Sequence, residues 1–220
     1  MDSCNDDKQS IPISLETHWN NAYLKTPISN LGWYEEYAQQ SIELIEKCDL
    51  PKDALIFNAG AGATTLINYL LQLKFANIVV NDIAINALIQ LKQNLPENKI
   101  ANVKFILDDL TNPKALLKLS NVDLWHDRAV LHFFTTTVQQ TAYFSLLKKV
   151  LKIGGYVILA QFNLEGAKKC SGLDVFNYDK QMLCERLGGN FELLKSFNYD
   201  YKQPSGGIRP YIYTLFKRIA

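Results

Sequence analysis

Several classes of protein are excluded by what this chain lacks. Its 220 residues include only 4 cysteines, 3 histidines and 2 methionines. Cys4, Cys48, Cys170 and Cys184 are scattered, and no two have the spacing of a zinc or redox pair. That pattern argues against a metal site or a disulfide framework and for a reducing compartment. No apolar run approaches the ~20 residues of a membrane span. Met1 to Ser10 are polar and lack the apolar stretch of a secretory signal, so the expectation is a cytoplasmic protein with no membrane partner. An excess of one charge is missing too: 23 basic residues face 22 acidic ones, for a net +1. Without a basic block, nucleic acid is not an implied partner. Repeats and low-complexity segments are absent, and nothing in the sequence sets an oligomeric state.

What is present is apolar sequence in a regular rhythm. With 48% hydrophobic and 20% charged residues, the composition suits one domain with a substantial core. Residues 1–13 read as a disordered N-terminus, and 14–220 as a single domain with a helical N-terminal cap over 14–50. In the cap, Ser14 starts a helix that Pro27 stops, and Trp33 to Cys48 reads as a second helix. Strands are expected at 54–57, 77–81, 103–107, 122–126 and 156–162. Helices alternate with them at 63–74, 84–94, 113–119 and 138–151, the last closed by Lys152-Ile-Gly-Gly155 as a C-cap. Most of these strands are apolar throughout, as expected of a parallel sheet covered on both faces. A further helix at 179–187 precedes two more strands, 191–201 and 211–217. The expected fold is α/β: a doubly wound, mostly parallel seven-stranded sheet, Rossmann-like, ending in an antiparallel hairpin.

The rhythm is organised around Asn58-Ala-Gly-Ala-Gly62. Gly60 and Gly62 follow a buried strand and lack the Cβ atoms that would block a tight turn or a ligand against the backbone. A ligand-free strand–helix turn is the plainer reading of a lone Gly-x-Gly. In an open α/β sheet, ligands lie beyond the carboxyl ends of the strands. Asp82 ends the second strand, where an acid can meet ribose hydroxyls. Asp108-Asp109 end the third, where Asp109 can meet an adenine amino group. Each aspartate also suits helix capping. Two acids at successive strand ends after a glycine turn shift the balance toward a nucleoside.

The end of the fourth strand carries the specific signal. Val122-Asp-Leu-Trp-His-Asp-Arg-Ala-Val-Leu-His-Phe-Phe-Thr135 resembles the signature Asp-Leu-Trp-His-Asp-Arg-Ala-Val-x-His-Phe-Leu-Thr. That signature marks a subgroup of the class I S-adenosylmethionine-dependent methyltransferases. The resemblance extends to His18-Trp19, Gly32-Trp33-Tyr34, Leu151-Lys-Ile-Gly-Gly155 and Tyr211-Ile-Tyr-Thr-Leu-Phe-Lys-Arg218. It implies S-adenosyl-L-methionine as cofactor, with Gly60 and Gly62 at its methionine part. It further implies Asp82 with Ile83 at the ribose, and Asp109 with Leu110 at the adenine. It implies too that Trp33 and Tyr34 lid the cofactor, where aromatic faces suit a sulfonium; ordinary packing of the cap is the plainer reading. The resemblance also implies an acid at the end of the first strand to hold the cofactor's ammonium group. Asn58 stands there instead, able to accept a hydrogen bond but carrying no charge.

For catalysis the candidates are His126, Asp127, Arg128 and His132. His126 comes first, as base or substrate contact, because an imidazole titrates near working pH. Asp127 and Arg128 also suit a structural pair. The expected function is methyl transfer to an acceptor that the sequence does not identify, a small molecule or, alternatively, a protein lysine. Two other readings stand beside it. A non-catalytic binding protein of the same fold is kept open by Asn58. A nicotinamide-dependent oxidoreductase shares the glycine turn, but Thr65 occupies the place of its third glycine.

Overall fold

The computed structural model describes residues 14–220, so the expectation for 1–13 lies outside the described residues. Seven strands form one sheet in the order β3-β2-β1-β4-β5-β9-β8. They are β1 (Leu55–Ala59), β2 (Asn77–Asp82), β3 (Val103–Leu107), β4 (Val122–Arg128), β5 (Leu151–Phe162), β8 (Phe191–Lys202) and β9 (Ile208–Arg218). The first five run parallel, and β9 lies antiparallel between β5 and β8. Strand order reverses between β1 and β4, which opens a crevice at their carboxyl ends.

The apolar strands are buried on both faces. Alternate residues serve two cores: Ile56, Leu124 and Ile158 face one, Phe57, Trp125 and Val157 the other. The first core is closed by α2 (Gln39–Glu46), α3 (Leu66–Gln72) and α4 (Ile85–Gln93). The second is closed by α5 (Thr137–Val150) and α6 (Lys180–Leu187). Each fully buried Leu, Ile or Phe contributes about 1.5–3 kcal/mol, so the three layers specify one another. Caps mark the helix starts. Thr136 and Gln139 form a reciprocal capping box on α5, and Asp179 accepts from Met182 N on α6. Ser14 accepts from Thr17 N at the start of α1 (Leu15–Lys25). That helix docks on α4 through Asn20 Oδ1, which accepts from Asn86 N at 3.0 Å.

Four local expectations need correction. The second helix covers only 39–46, and residues 33–38 form an irregular strap ahead of it. Tyr37 faces solvent and stacks edge-on against Tyr69, so its helical spacing misleads. Helix α3 begins at Leu66, because Ala61 to Thr65 are used in the turn. The expected helix at 113–119 shrinks to a 3-10 turn at Leu116–Lys118. Finally, Lys152-Ile-Gly-Gly155 belongs to β5, which starts at Leu151 opposite Val122. The register shifts between Val122 and Leu124, and Gly154 takes φ +81° there, so these glycines make a bulge and not a helix cap. A two-stranded hairpin, β6 (Lys169–Cys170) with β7 (Leu173–Asp174), turns on Ser171-Gly172. Both turn residues have positive φ.

Candidate active site

The site begins at the turn after β1. Gly60 has φ +52° and Gly62 φ +57°. A Cβ on Gly60 would stand 2.3 Å from Val130 Cγ2, and one on Gly62 would stand 2.3 Å from the Tyr23 hydroxyl. Both glycines are therefore required twice, by conformation and by space. Ala61 N donates to Asn81 O at 2.7 Å, which folds the turn back onto the end of β2.

Asp82 completes this turn. Its Oδ2 accepts from Gly62 N at 2.8 Å and its Oδ1 from Ala84 N at 2.9 Å. Burial pushes its carboxyl up to about 6, against the pull of these amides. One aspartate thus joins the glycine turn to the start of α4 while it borders the cleft. At the end of β3, Asp108 accepts from Asp109 N, Lys114 N and Leu116 N. Asp109 Oδ1 accepts from Thr111 N and Thr111 Oγ1, both at 2.7 Å. These bonds close local turns and are not helix caps: α4 has Ala84 at its N-cap with no side-chain bond, and no helix starts at Thr111. Yet Asp82, Ile83, Asp109 and Leu110 all line the same cleft as Asn58, Gly60 and Gly62. An acid can close a turn in this way and still meet a ligand with its remaining lone pairs.

The strap at 33–35 closes the cleft from the other side. Arg128 Nη1 donates to Trp33 O at 2.9 Å, and its Nε donates to Tyr213 Oη at 3.0 Å. Its Nη2 lies 3.0 Å from Glu35 Oε1, an ion pair whose alignment is poor for a hydrogen bond. Tyr201 and Tyr211 present their ring faces to the guanidinium at 4.7 and 5.2 Å. Burial opposes the charge, but Tyr213, Tyr211 and Glu35 outweigh it and hold the guanidinium above its ordinary range. Burial also raises Glu35, against the pull of Arg128. The Tyr201 hydroxyl donates to Tyr34 O, and Gln203 Nε2 donates to Gly32 O at 3.0 Å. Trp33 Nε1 donates to Tyr23 Oη at 3.1 Å.

Of the four catalytic candidates, His126 and Arg128 border the cleft. Asp127 does not: its carboxylate accepts from Val130 N, Leu131 N, Tyr143 Oη and Gln161 Nε2. Those bonds hold the turn in which Ala129 takes φ +67° and Val130 is set against Gly60. Burial pushes Asp127 up to about 6. His132 lies behind the cleft, stacked on Phe162 at 4.4 Å, with its Nδ1 accepting from Phe162 N. Burial, with Arg128 adding to it, pushes both His126 and His132 down to about 3.

Several residues that border the site are not assigned to it by the sequence, although Trp19 and Tyr23 belong to the stretch that carries the resemblance. Tyr23 covers the glycine turn, and Ser41 meets His126. Trp19 packs edge-on to Trp33 and Phe133 at 5.4 and 4.8 Å. Phe162 and Tyr211, edge-on at 5.0 Å, complete an aromatic chamber in the lining of the cleft. The periodicity of α1 does place Trp19 and Tyr23 on one face, but nothing local says what that face covers. Ser41 reaches its partner across 85 residues, and no sequence signal shows it.

The fold and this cleft define an α/β cofactor-binding protein, and sequence comparison makes that class specific. A family model described as a methyltransferase domain matches residues 52–199, and the chain belongs to that family. No curated protein matches the sequence. Among solved structures, a SAM-dependent methyltransferase from Anabaena variabilis superposes with a TM-score of 0.74 at 15% identity, covering 92% of this chain and 93% of its own. The 1,6-didemethyltoxoflavin-N1-methyltransferase of Burkholderia thailandensis, with bound substrate and S-adenosylhomocysteine, superposes at 0.65 with 17% identity, covering 83% and 78%. The N-methyltransferase NodS of Bradyrhizobium japonicum gives 0.64 at 11%, covering 83% and 96%. At such identities the likeness is one of fold.

Proposed function

We propose that this protein transfers a methyl group from S-adenosylmethionine to a small, ring-bearing acceptor. One observation carries the reading. The side-chain-free turn at Gly60 and Gly62, the acids Asp82 and Asp109 and the strap residues Trp33 and Tyr34 border one continuous cleft. That is the donor set a nucleoside with an amino-acid tail requires: acids for hydroxyl and amino groups, bare backbone for the tail, rings for a sulfonium. Ile83 and Leu110 supply apolar walls at the nucleoside end. The subgroup signature at 123–133 supports the same reading. On this reading residues 14–220 form one methyltransferase domain, whose N-terminal segment, 14–50, supplies Tyr23, the strap and Ser41.

When bound, the cofactor supplies an electrophilic methyl on sulfur. The chain's part is to align the acceptor and exclude water. His126, pushed down to about 3, is a weak base, and Arg128 is committed to the strap. An acceptor atom with a free lone pair, such as a ring nitrogen, therefore needs no proton removed by the protein. Asp127 and His132 support the wall of the chamber from behind. The aromatic chamber of Trp19, Phe133, Phe162 and Tyr211 favours a flat acceptor. The Burkholderia thailandensis neighbour acts on such a compound, 1,6-didemethyltoxoflavin.

Calorimetry with S-adenosylmethionine, S-adenosylhomocysteine and NAD tests the cofactor. Binding of the first two and not the third is expected, and tight binding of NAD alone would overturn the reading. A screen of aza-aromatic, thiol and peptide acceptors, read by release of S-adenosylhomocysteine, then tests the acceptor class.

A further inference from the structure

Asn58 and His126 are cross-strand partners on β1 and β4, and both point toward α2. His126 Nδ1 lies 3.1 Å from Asn58 Oδ1, and His126 Nε2 lies 2.8 Å from Ser41 Oγ. All three residues are buried and all three border the cleft. An amide oxygen only accepts, so Nδ1 carries the ring proton. The ring is neutral, because burial and Arg128 push it far below its ordinary range. Its Nε2 is therefore a bare acceptor, and the Ser41 hydroxyl must donate to it. The chain of bonds runs from Ser41 through His126 to Asn58, in one direction.

The direction matters for what Asn58 offers. Its oxygen is taken by His126. Its Nδ2 donates to no group among the described residues, and it is not sealed away from solvent space. The amide thus turns N–H donors toward the methionine end of the cleft, where an acid would turn an acceptor. Resting on the cofactor reading above, we propose that His126 is a specificity-determining positioning residue. By holding the Asn58 oxygen it orients the amide so that its N–H groups take the carboxylate of the cofactor's amino-acid tail, and not its ammonium.

Two measurements test this independently. The first uses the ligand-free protein and needs no cofactor. Nitrogen-15 NMR of the 3 histidines should show His126 protonated at Nδ1 and bare at Nε2. In Asn58→Leu the Nδ1 acceptor is gone and both tautomers should be populated, while Ser41→Ala, which keeps the Asn58 oxygen, should retain the wild-type signature. An Nε2-protonated ring in the wild type would overturn the proposal. The second measurement is calorimetry with S-adenosylmethionine, its decarboxylated analogue and its deaminated analogue. Loss of the carboxylate should weaken binding more than loss of the amine, by about tenfold to a hundredfold, as expected of a hydrogen bond to a charged group. Asn58→Asp should reverse that order. A wild type that loses more with the amine overturns this assignment alone. Failure of all three compounds to bind, with the Nδ1 tautomer in place, overturns the cofactor reading instead.

Discussion

Arg128 at the end of β4 holds the main-chain carbonyl of Trp33 at 2.9 Å, across 95 residues of sequence. This bond fixes the strap through its backbone, while the Trp33 ring lines the cleft and bonds Tyr23 through its Nε1. The same guanidinium meets Glu35 and the ring faces of Tyr201 and Tyr211. Removing it leaves a buried carboxylate without a counter-charge and a strap without its main anchor. We expect Arg128→Met to cost about 3–5 kcal/mol. For a chain of this size that is a fall of roughly 10–15 °C in the thermal midpoint. Glu35→Gln should cost less, because the guanidinium keeps its other partners. Differential scanning calorimetry of the two variants checks the order.

Asp82 bonds to Gly62 and Ala84 and also borders the cleft, so Asp82→Ala should do two kinds of damage. We expect it to weaken cofactor binding by about tenfold to a hundredfold. His126→Ala should weaken it less. Calorimetric titration of both variants gives the comparison, and the reverse order would refute the assignment of the nucleoside end.

The two glycines of the turn differ from Gly154 in the β5 bulge. Gly60→Ala places a methyl group against Val130 at positive φ, which should cost about 1–3 kcal/mol and reduce cofactor binding. Val130→Ala should relieve part of that loss. Gly154 also has positive φ but nothing within 4 Å of its would-be Cβ. Gly154→Ala should therefore lose stability without losing cofactor affinity. Equal effects on affinity at the two positions would contradict the cradle.

Acid stability gives a further check. His126 and His132 sit at about 3 in the fold, far below their ordinary value near 6.5. As pH falls through that window, the unfolded chain takes up protons that the fold refuses, so stability is lost. Asp82 and Asp127, raised to about 6, act in the opposite sense: the fold holds protons that the unfolded chain has released. Between about pH 6 and pH 4 the two pairs offset one another. Removing one histidine should upset that balance. We expect His132→Gln to show a smaller fall in thermal midpoint than the wild type between pH 7 and pH 5. A larger fall would show that the buried histidines do not set the acid response.

What the sequence disclosed follows from the range of the forces involved. Apolar strands, helix caps and the Gly60–Gly62 turn depend on neighbours in the chain, so composition and period reveal them. The α/β order and the antiparallel hairpin at β8 and β9 were legible for that reason. The strap at 33–38 was not, because its conformation is imposed by Arg128 and Tyr201 from distant strands. Its residues carry a helical period all the same. Likewise, Asn58 read as an acceptor because the sequence shows an amide and not its orientation. The His126 ring decides that orientation from the neighbouring strand.

The place of β9 has a consequence for synthesis. It follows β8 in the chain yet lies between β5 and β8, and it brings Tyr211 and Tyr213 to Arg128. A nascent chain that has already emerged through β5 has its glycine turn, its acids and Arg128, but not Tyr201, Tyr211 and Tyr213, which hold the guanidinium and the strap in place. Until β9 leaves the ribosome and inserts beside β5, the apolar edge of β5 and the ring-lined chamber stand open to other chains. Competence to bind cofactor should therefore arise late and abruptly during translation, and slow delivery of residues 208–218 would lengthen the period in which chaperones are needed.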